Sequence, residues 1–433
     1  MPSNTAEENP TAHAPPKRSL WRDPDFLRLW TAQSTSTLGR MMMVIPLVAI
    51  LILDARPYQM AIISGASTAA GLIFGLIAGP WIDRSRRKIV LVVTDFGSAI
   101  AIATIVVAHF MFELKMEHLY AVAFVNGSLG IFNEVAQRSY LPRLIEKDRL
   151  FEANSKIAAS DAVVEQIGFS VGGFIAQLAS AISAGVVQSV TFLISGLLVL
   201  TIRKPEPEPE SPQGRPRIWR EIADGYVFIT ANKTLILMTT SGVLLGIASG
   251  IIGGMITLFA ISEIGIQPGP LGIIYGVGGI SSFFGALLAS RVTNKLGIGR
   301  SMALGLLSYG IIGFLIPLAP STVWIAMIFF VIPQLFGDGL WVIHDINKTS
   351  LQQAIIPDNL LGRVISAINV SEKVAALIGV AIAGIIAELV GLRIALAAGS
   401  VCLLLAGLVY LNPAIRSIKT IPASGSSDTI GPD

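Results

Sequence analysis

Six of the ionisable side chains inside long apolar runs of this chain have types and spacing that could do chemistry. Asp161 and Glu165 lie four residues apart in SDAVVEQIGFSVGGFI, Glu372 and Lys373 are adjacent in NVSEKVAALIGV, Arg40 interrupts TSTLGRMMMVIPLV, and Asp338 occupies the small-residue stretch FGDGL. A charge at the centre of a lipid-spanning helix costs from about 2.5 kcal/mol upward, so each is a functional candidate. Residues four apart share one helical face, which makes Asp161 and Glu165 a candidate pair for reversible proton binding, with Arg40 placed to neutralise one of them. At 1.5 Å per residue Arg40 and Glu165 come out about 20 Å from one end of their spans, and Asp161 and Glu372 about 15 Å, near the midplane. The competing reading is a static Arg40–Glu165 ion pair. Asp95 is expected to pair with a loop arginine. His344 could titrate or could sit at a span end without a role.

The elements that must carry these groups follow from composition. Of 433 residues, 53% are hydrophobic and 14% charged, which is a membrane protein rather than a soluble globule. Apolar stretches long enough to cross a bilayer recur at 26–53, 60–82, 89–110, 119–137, 153–179, 183–202, 234–262, 268–291, 301–319, 322–346, 362–389 and 392–411. Continuous runs of this length exclude the alternation of a barrel strand, so the fold is all-helical with twelve transmembrane spans. The single cysteine, Cys402, lies in the last span and cannot form an intramolecular disulfide. No GxxxxGK[ST] loop, Cys/His cluster or Ser/His/Asp set is present, so the sequence offers no ATP, metal or hydrolase site. The net charge of +3 resides in loops and implies no nucleic-acid partner.

Orientation follows from Lys and Arg, which keep short loops cytoplasmic. Of the 31 such residues only Arg56, Lys115 and Arg393 fall on the side opposite the termini, while Arg40, Lys156 and Lys373 lie within spans. The expected plan is a disordered cytosolic tail at 1–25 with no apolar leader, a six-helix bundle at 26–202, a cytosolic linker at 203–233, a second six-helix bundle at 234–411 and a cytosolic tail at 412–433. The linker opens with KPEPEPES, which favours extended polyproline, and ends in a stretch from Ile218 to Ile229 whose apolar residues sit at helical spacing, consistent with a surface helix.

The two bundles are copies. Shifting the chain by 211 residues lays EVAQRSYLPRLIEKDRLFEANSKIAASDAVVEQIGFSVGGFIAQL over DINKTSLQQAIIPDNLLGRVISAINVSEKVAALIGVAIAGIIAEL without a gap, matching Glu134 to Asp345, Asp161 to Glu372, Gly168 to Gly379 and Gly173 to Gly384. Two parallel six-span repeats joined by a linker are the plan of a transporter that rocks two halves about a midplane site. Glycines at 71, 75 and 79 on span two, and Gly168, Gly172 and Ala176 on span five, are spaced for close helix contacts.

Between spans two and three the chain reads GPWIDRSRRK. With Gly79, Asp83, Arg84, Arg87 and Lys88 in place, it resembles the major facilitator superfamily over about 26–411. The segments after spans four and ten resemble the branch of the enterobactin exporter and macrolide efflux pumps. Arg86 stands where the family often has Gly, and Ser170 precedes Val171 and the paired glycines of span five where many family antiporters carry a proline. The resemblance implies the major facilitator fold and a gating latch. In that latch Asp83 caps the positive end of a facing helix, expected to be span eleven, and Arg87 reaches Glu134. It further implies a monomeric secondary transporter of the bacterial inner membrane, with a small-molecule substrate and no cofactor. The expected activity is proton-coupled efflux of an amphipathic drug, antibiotic or siderophore by alternating access. The alternatives are uptake of a small metabolite and a non-transporting membrane sensor; an intramembrane enzyme would need a catalytic set the sequence lacks.

Overall fold

The computed structural model describes residues 19–207 and 218–420, and all regular structure among them is helical. Several helices begin where the sequence caps them. Asp23 accepts the N–H groups of Asp25 and Phe26 ahead of Pro24, Asn232 does the same for Thr234 and Leu235, and Pro57 and Pro268 open their helices from a position where a missing N–H costs nothing. The order is α1 (Pro24–Leu51), α2 (Pro57–Asp83), α3 (Arg87–Met111), α4 (Met116–Leu144), α5 (Leu150–Leu178), α6 (Ala181–Leu200), α7 (Ile218–Ala231), α8 (Lys233–Glu263), α9 (Pro268–Leu296), α10 (Ile298–Gly313), α11 (Val323–Ile355), α12 (Asp358–Val390) and α13 (Leu392–Val409).

Ten of these are long and apolar enough to cross a membrane. The other two rods of the twelve-helix bundle are α5, which is long but carries Glu152, Lys156, Asp161 and Glu165, and the short apolar α10. Large apolar side chains point outward: Ile100 is 63% exposed, Phe110 74%, Trp324 79% and Leu178 80%. Such a surface is unfavourable in water and natural in lipid.

The turns after α2, α4, α9 and α11 share one end with residues 19–23 and 410–420 (the terminal face); the turns after α1, α3, α5, α8, α10 and α12 form the far face. The duplicated register reappears in the packing. Gly168 of α5 sits against Leu38 and Met41 of α1, and its mate Gly379 of α12 sits against Ile247 of α8. Gly173 meets Pro268 and Gly269 of α9, while its mate Gly384 meets Tyr58 and Ala61 of α2. Each half therefore lends its fifth span to the other half's second span, on the far side of the midplane.

The apolar core tells the state of the molecule. One cluster on the far side draws on both halves, with Met42, Ile63 and Ile105 joined to Ile251, Ile274 and Val380. On the terminal side the buried core divides in two, with Phe26, Ile82, Leu91 and Tyr140 in the first half and Met238, Met302, Leu351 and Tyr410 in the second, and Leu76 of α2 packed against the latter. The halves are closed together at the far face and parted at the terminal face.

Several details differ from the sequence expectation. Residues 19–25 are not a loose tail: Leu20 is fully buried and the Trp21 ring lies 5.1 Å from Trp30. Residues 412–420 also pack, since Gly299 and Ile298 donate N–H groups to Ile418 and Lys419. The polyproline expectation from 208 onward, and the tails at 1–18 and 421–433, lie outside the described residues. Gly75 and Gly79 make no close helix contact, since nothing lies within 4 Å of a Cβ built on either. Their face of α2 looks toward the side where the halves have separated.

Two rods are broken rather than continuous. α1 ends its first segment at Arg40 and restarts at Val44, with Met43 in the left-handed region at φ 52°. The backbone of Met42 at this break is pressed against Gly172, an approach a larger residue would block. α11 passes through a π turn at Pro333–Gly337, because Pro333 has no N–H to continue the α ladder.

Candidate functional site

Between α1, α4 and α5, on the parted side of the shared core, lies a cavity of about 380 Å³ lined by Gln33, Thr37, Arg40, Glu134, Gln137, Arg138, Asn154, Asp161 and Glu165 among others. The sequence candidates Arg40, Asp161, Glu165 and Glu134 thus share one chamber. The break in α1 explains how Arg40 is accommodated: it is the last residue of a helical segment, where the negative end of the helix dipole favours a cation. Its Nη2 donates to Thr37 Oγ1 at 3.2 Å, and its Nε is buried with no hydrogen-bond partner.

Asp161 accepts a hydrogen bond from Gln33 Nε2 at 2.9 Å through Oδ2, while its Oδ1 is buried without a partner. Trp30 Nε1 donates to Ser160 Oγ at 2.7 Å and fixes α1 against α5 one residue away. Among the described residues no ion pair joins Arg40 to Glu165 or Asp161, so the static Arg40–Glu165 pair is not formed. A cation and two acids face one chamber with hydrogen-bonding capacity in reserve, an arrangement that can bind a proton, or an ionised or polar group of a ligand.

The second half is wired differently. Glu372 pairs with Lys348 Nζ at 2.8 Å and packs against Gly242 of α8, whereas Lys373 is exposed on the neighbouring helix position. Lys348 is the repeat mate of Gln137, so the register that aligned Asp161 with Glu372 also held this partner, which the sequence reading passed over. Asp338 lies apart from both groups, in the second half beside the π turn of α11.

The latch residues take unexpected partners. Asp83 is 66% exposed and its Oδ1 lies 3.4 Å from Arg87 Nη2; among the described residues no hydrogen bond or ion pair joins it to α12. Arg87 does not reach Glu134. Its guanidinium, 4% exposed, turns toward the end of α6, where Glu206, equally buried, lies 3.6 Å away. The Glu206 carboxylate also accepts the N–H groups of Arg87 (2.9 Å) and Lys88 (3.2 Å), capping α3. Lys88 Nζ donates to the carbonyls of Leu200 (3.0 Å) and Ile202 (2.7 Å), satisfying the end of α6. Glu134 pairs with Arg138 at 2.7 Å, one turn along α4 and at the cavity wall, and Arg84 is exposed.

Among the described residues Asp95 has no arginine partner either. It is 2% exposed and accepts hydrogen bonds from Ser195 Oγ (2.6 Å), Ser36 Oγ (3.0 Å) and Asn133 Nδ2 (3.0 Å), which ties α1, α3, α4 and α6 together. Three donors make this carboxylate a structural knot. His344 is likewise buried, with Nδ1 3.0 Å from the Met302 carbonyl and its ring packed on Tyr410. On the far face Arg393 staples the second half: its Nε lies 2.6 Å from Glu263, and its Nη1 donates to the carbonyls of Ala319 (2.6 Å) and Pro317 (3.2 Å).

This architecture is shared with known proteins. A nucleoside transporter, NupG, superposes with a TM-score of 0.72 at 13% identity, over 89% of this chain and 98% of that one. A bacterial homologue of the iron transporter ferroportin in an inward-facing state gives 0.70 at 16% identity, over 91% and 99%. In sequence, the MFS-type transporter YfiS of Bacillus subtilis (strain 168) is 22% identical over 406 residues, covering 89% of this chain and 92% of that protein. Macrolide efflux protein A of Streptococcus pyogenes is 22% identical over 226 residues, about half of each chain. The family model of the Major Facilitator Superfamily matches residues 29–371. With that match spanning most of the chain and the duplicated twelve-helix fold beneath it, the protein belongs to the Major Facilitator Superfamily.

Proposed function

We propose that this protein is a proton-coupled exporter of a small amphipathic molecule, of the drug, antibiotic or siderophore kind, working by alternating access as a monomer in the bacterial inner membrane with both termini cytosolic. The carrying observation is the position of the Arg40–Asp161–Glu165 chamber. It lies between a far-side core that joins both halves and a terminal side where the core is split. A bound molecule or proton here acts on the equilibrium between the two closures only through its differential affinity for them. The export direction rests on the likeness to the macrolide efflux protein over half of the chain; the fold itself serves uptake equally.

Asp161→Asn and Glu165→Gln each remove one acid while keeping shape. In proteoliposomes loaded with a lipophilic cationic dye, a proton gradient is expected to drive transport at least ten-fold slower in one of these variants than in the wild-type protein, while gradient-free exchange persists. Wild-type gradient-driven rates in both variants would remove the chamber from proton coupling.

The latch is the second element of the proposal. α12 starts at Asp358 with no side-chain cap, and in the state closed at the terminal face Asp83 supplies one. A cap is worth about 1 kcal/mol against Ala, so Asp83→Ala is expected to slow transport roughly five-fold at unchanged membrane abundance. The comparison of initial rates at equal protein checks it, and an unaltered rate would dismiss the latch.

A further inference from the structure

A second cavity, of about 60 Å³, lies wholly within the second half, between α8, α10, α11 and α13. Its polar lining consists of oxygen-bearing side chains only: the Asp338 carboxylate, the Gln334 amide and the hydroxyls of Tyr309 and Ser400. No lysine, arginine or histidine lines it, and among the described residues Asp338 makes no hydrogen bond or ion pair. Every other sequence candidate in the second half has a different setting, Glu372 being already neutralised by Lys348 at 2.8 Å.

Local structure puts these oxygens together. The π turn at Pro333–Gly337 carries Gln334 and leads directly into Asp338, and turns of this kind recur at functional sites. Across from them is Gly278 of α9. A Cβ built there would fall against both Asp338 Oδ2 and Gln334 Oε1, so the two oxygens converge over bare glycine backbone. The carboxylate, which has no protein partner, and the amide oxygen thus occupy the space a methyl group would take, a placement that only glycine permits.

We propose that this cavity is a binding site for a monovalent alkali cation, held by Asp338 with Gln334, Tyr309 and Ser400. One carboxylate in a membrane interior is neutralised by one positive charge, whereas divalent hard cations take six or more oxygens, usually with several carboxylates. Zinc- and copper-like ions prefer nitrogen or sulfur ligands, and none lines the cavity. The volume admits an ion with a few waters but not a drug-sized molecule, which needs about 300 Å³ or more. The site is independent of the proton chamber in the first half, and its assignment does not rest on the export reading.

The test is thermal unfolding of the full chain in nanodiscs at fixed pH and ionic strength, with sodium chloride replacing choline chloride. Sodium is expected to raise the unfolding midpoint in a saturable way. Asp338→Asn should abolish the rise. Gly278→Ala, which keeps the carboxylate but displaces it and the Gln334 amide oxygen from their places over the glycine, should raise the half-saturating concentration at least ten-fold, and Ser400→Ala at least three-fold. Asp161→Asn should leave the sodium response intact, which separates this site from the proton chamber. No sodium-dependent rise over choline, a full response in Asp338→Asn, or loss of the response in Asp161→Asn would overturn the assignment. Should Asp338→Asn fail to fold, an undiminished sodium response in both Gly278→Ala and Ser400→Ala would do the same.

Discussion

Glu206→Ala is expected to be the most destabilising single change outside the apolar core. The wild-type carboxylate is 4% exposed, caps α3 through two backbone N–H groups and faces an equally buried Arg87. Removing one member of a buried pair strands the other's charge, which costs about 3–5 kcal/mol. The remaining partner of Arg87, Asp83, is mostly exposed at 3.4 Å and offsets only a small part. Glu206→Gln should fall in between, since the amide oxygen still accepts N–H groups but carries no charge. The check is the temperature at which monodisperse protein is lost on size-exclusion chromatography. A drop of several degrees for Glu206→Ala, and a smaller one for Glu206→Gln, is the expected order; an unchanged temperature for both would mean that the Glu206 cap and its pairing with Arg87 contribute nothing.

Gly272→Val is expected to open the far face. Gly272 of α9 packs so tightly on Phe169 and Ser170 of α5 that a Cβ would collide with backbone. A β-branched side chain there must push the two helices apart. Overpacking of this kind costs about 1–3 kcal/mol, and the cost falls only on the state in which the far seam is shut. Because 1.4 kcal/mol is a factor of ten in population, the shut state should lose at least several-fold to its alternative. The readout is Ser64, whose side chain lies 3.3 Å from a Cβ built on Gly254 across the α2–α8 seam. A cysteine placed at Ser64 should react faster with a membrane-impermeant maleimide when Gly272→Val is present. Equal labelling with and without Gly272→Val would show that the seam is not a gate.

Much of this architecture was legible in the residue order. Long apolar runs and the 211-residue register are properties of hydropathy and small-residue spacing, which survive without any knowledge of contacts, and the structure returns them in equivalent packing: Gly168 and its mate Gly379 each meet the first span of their own half, and Gly173 and its mate Gly384 each meet the second span of the other half. The chamber was half legible: Arg40, Asp161 and Glu165 were singled out because charge in lipid is costly, and they do line one cavity. The partners were not, because ion pairing depends on rotation and state. Arg87 turns to Glu206, which lies in a linker whose Pro-Glu pattern reads as solvated spacer, and Glu134 takes the nearer Arg138. The breaks in α1 and α11 were also hidden. Leu-Gly-Arg-Met-Met-Met carries no turn signature strong enough to outweigh the apolar run, and Pro333 alone does not say whether a helix will kink, stop or widen. Gly75 and Gly79 show the reverse limit, since small-residue spacing marks a surface capable of close packing without saying in which state it is used.

The most direct test of the rocking of two halves is disulfide trapping at opposite faces in native membranes. Gln177 of α5 donates to Gln267 at 2.5 Å across the far face, while Arg84, at the end of α2, and Gly362 of α12 are both open at the terminal face. Cysteines at 177 and 267 should cross-link readily in the resting protein and stop transport until reduced. Cysteines at 84 and 362 should cross-link only when Gly272→Val shifts the equilibrium, and the same shift should depress the 177–267 yield. Yields at the two faces that rise and fall together, or that never change, would contradict alternating access in this protein.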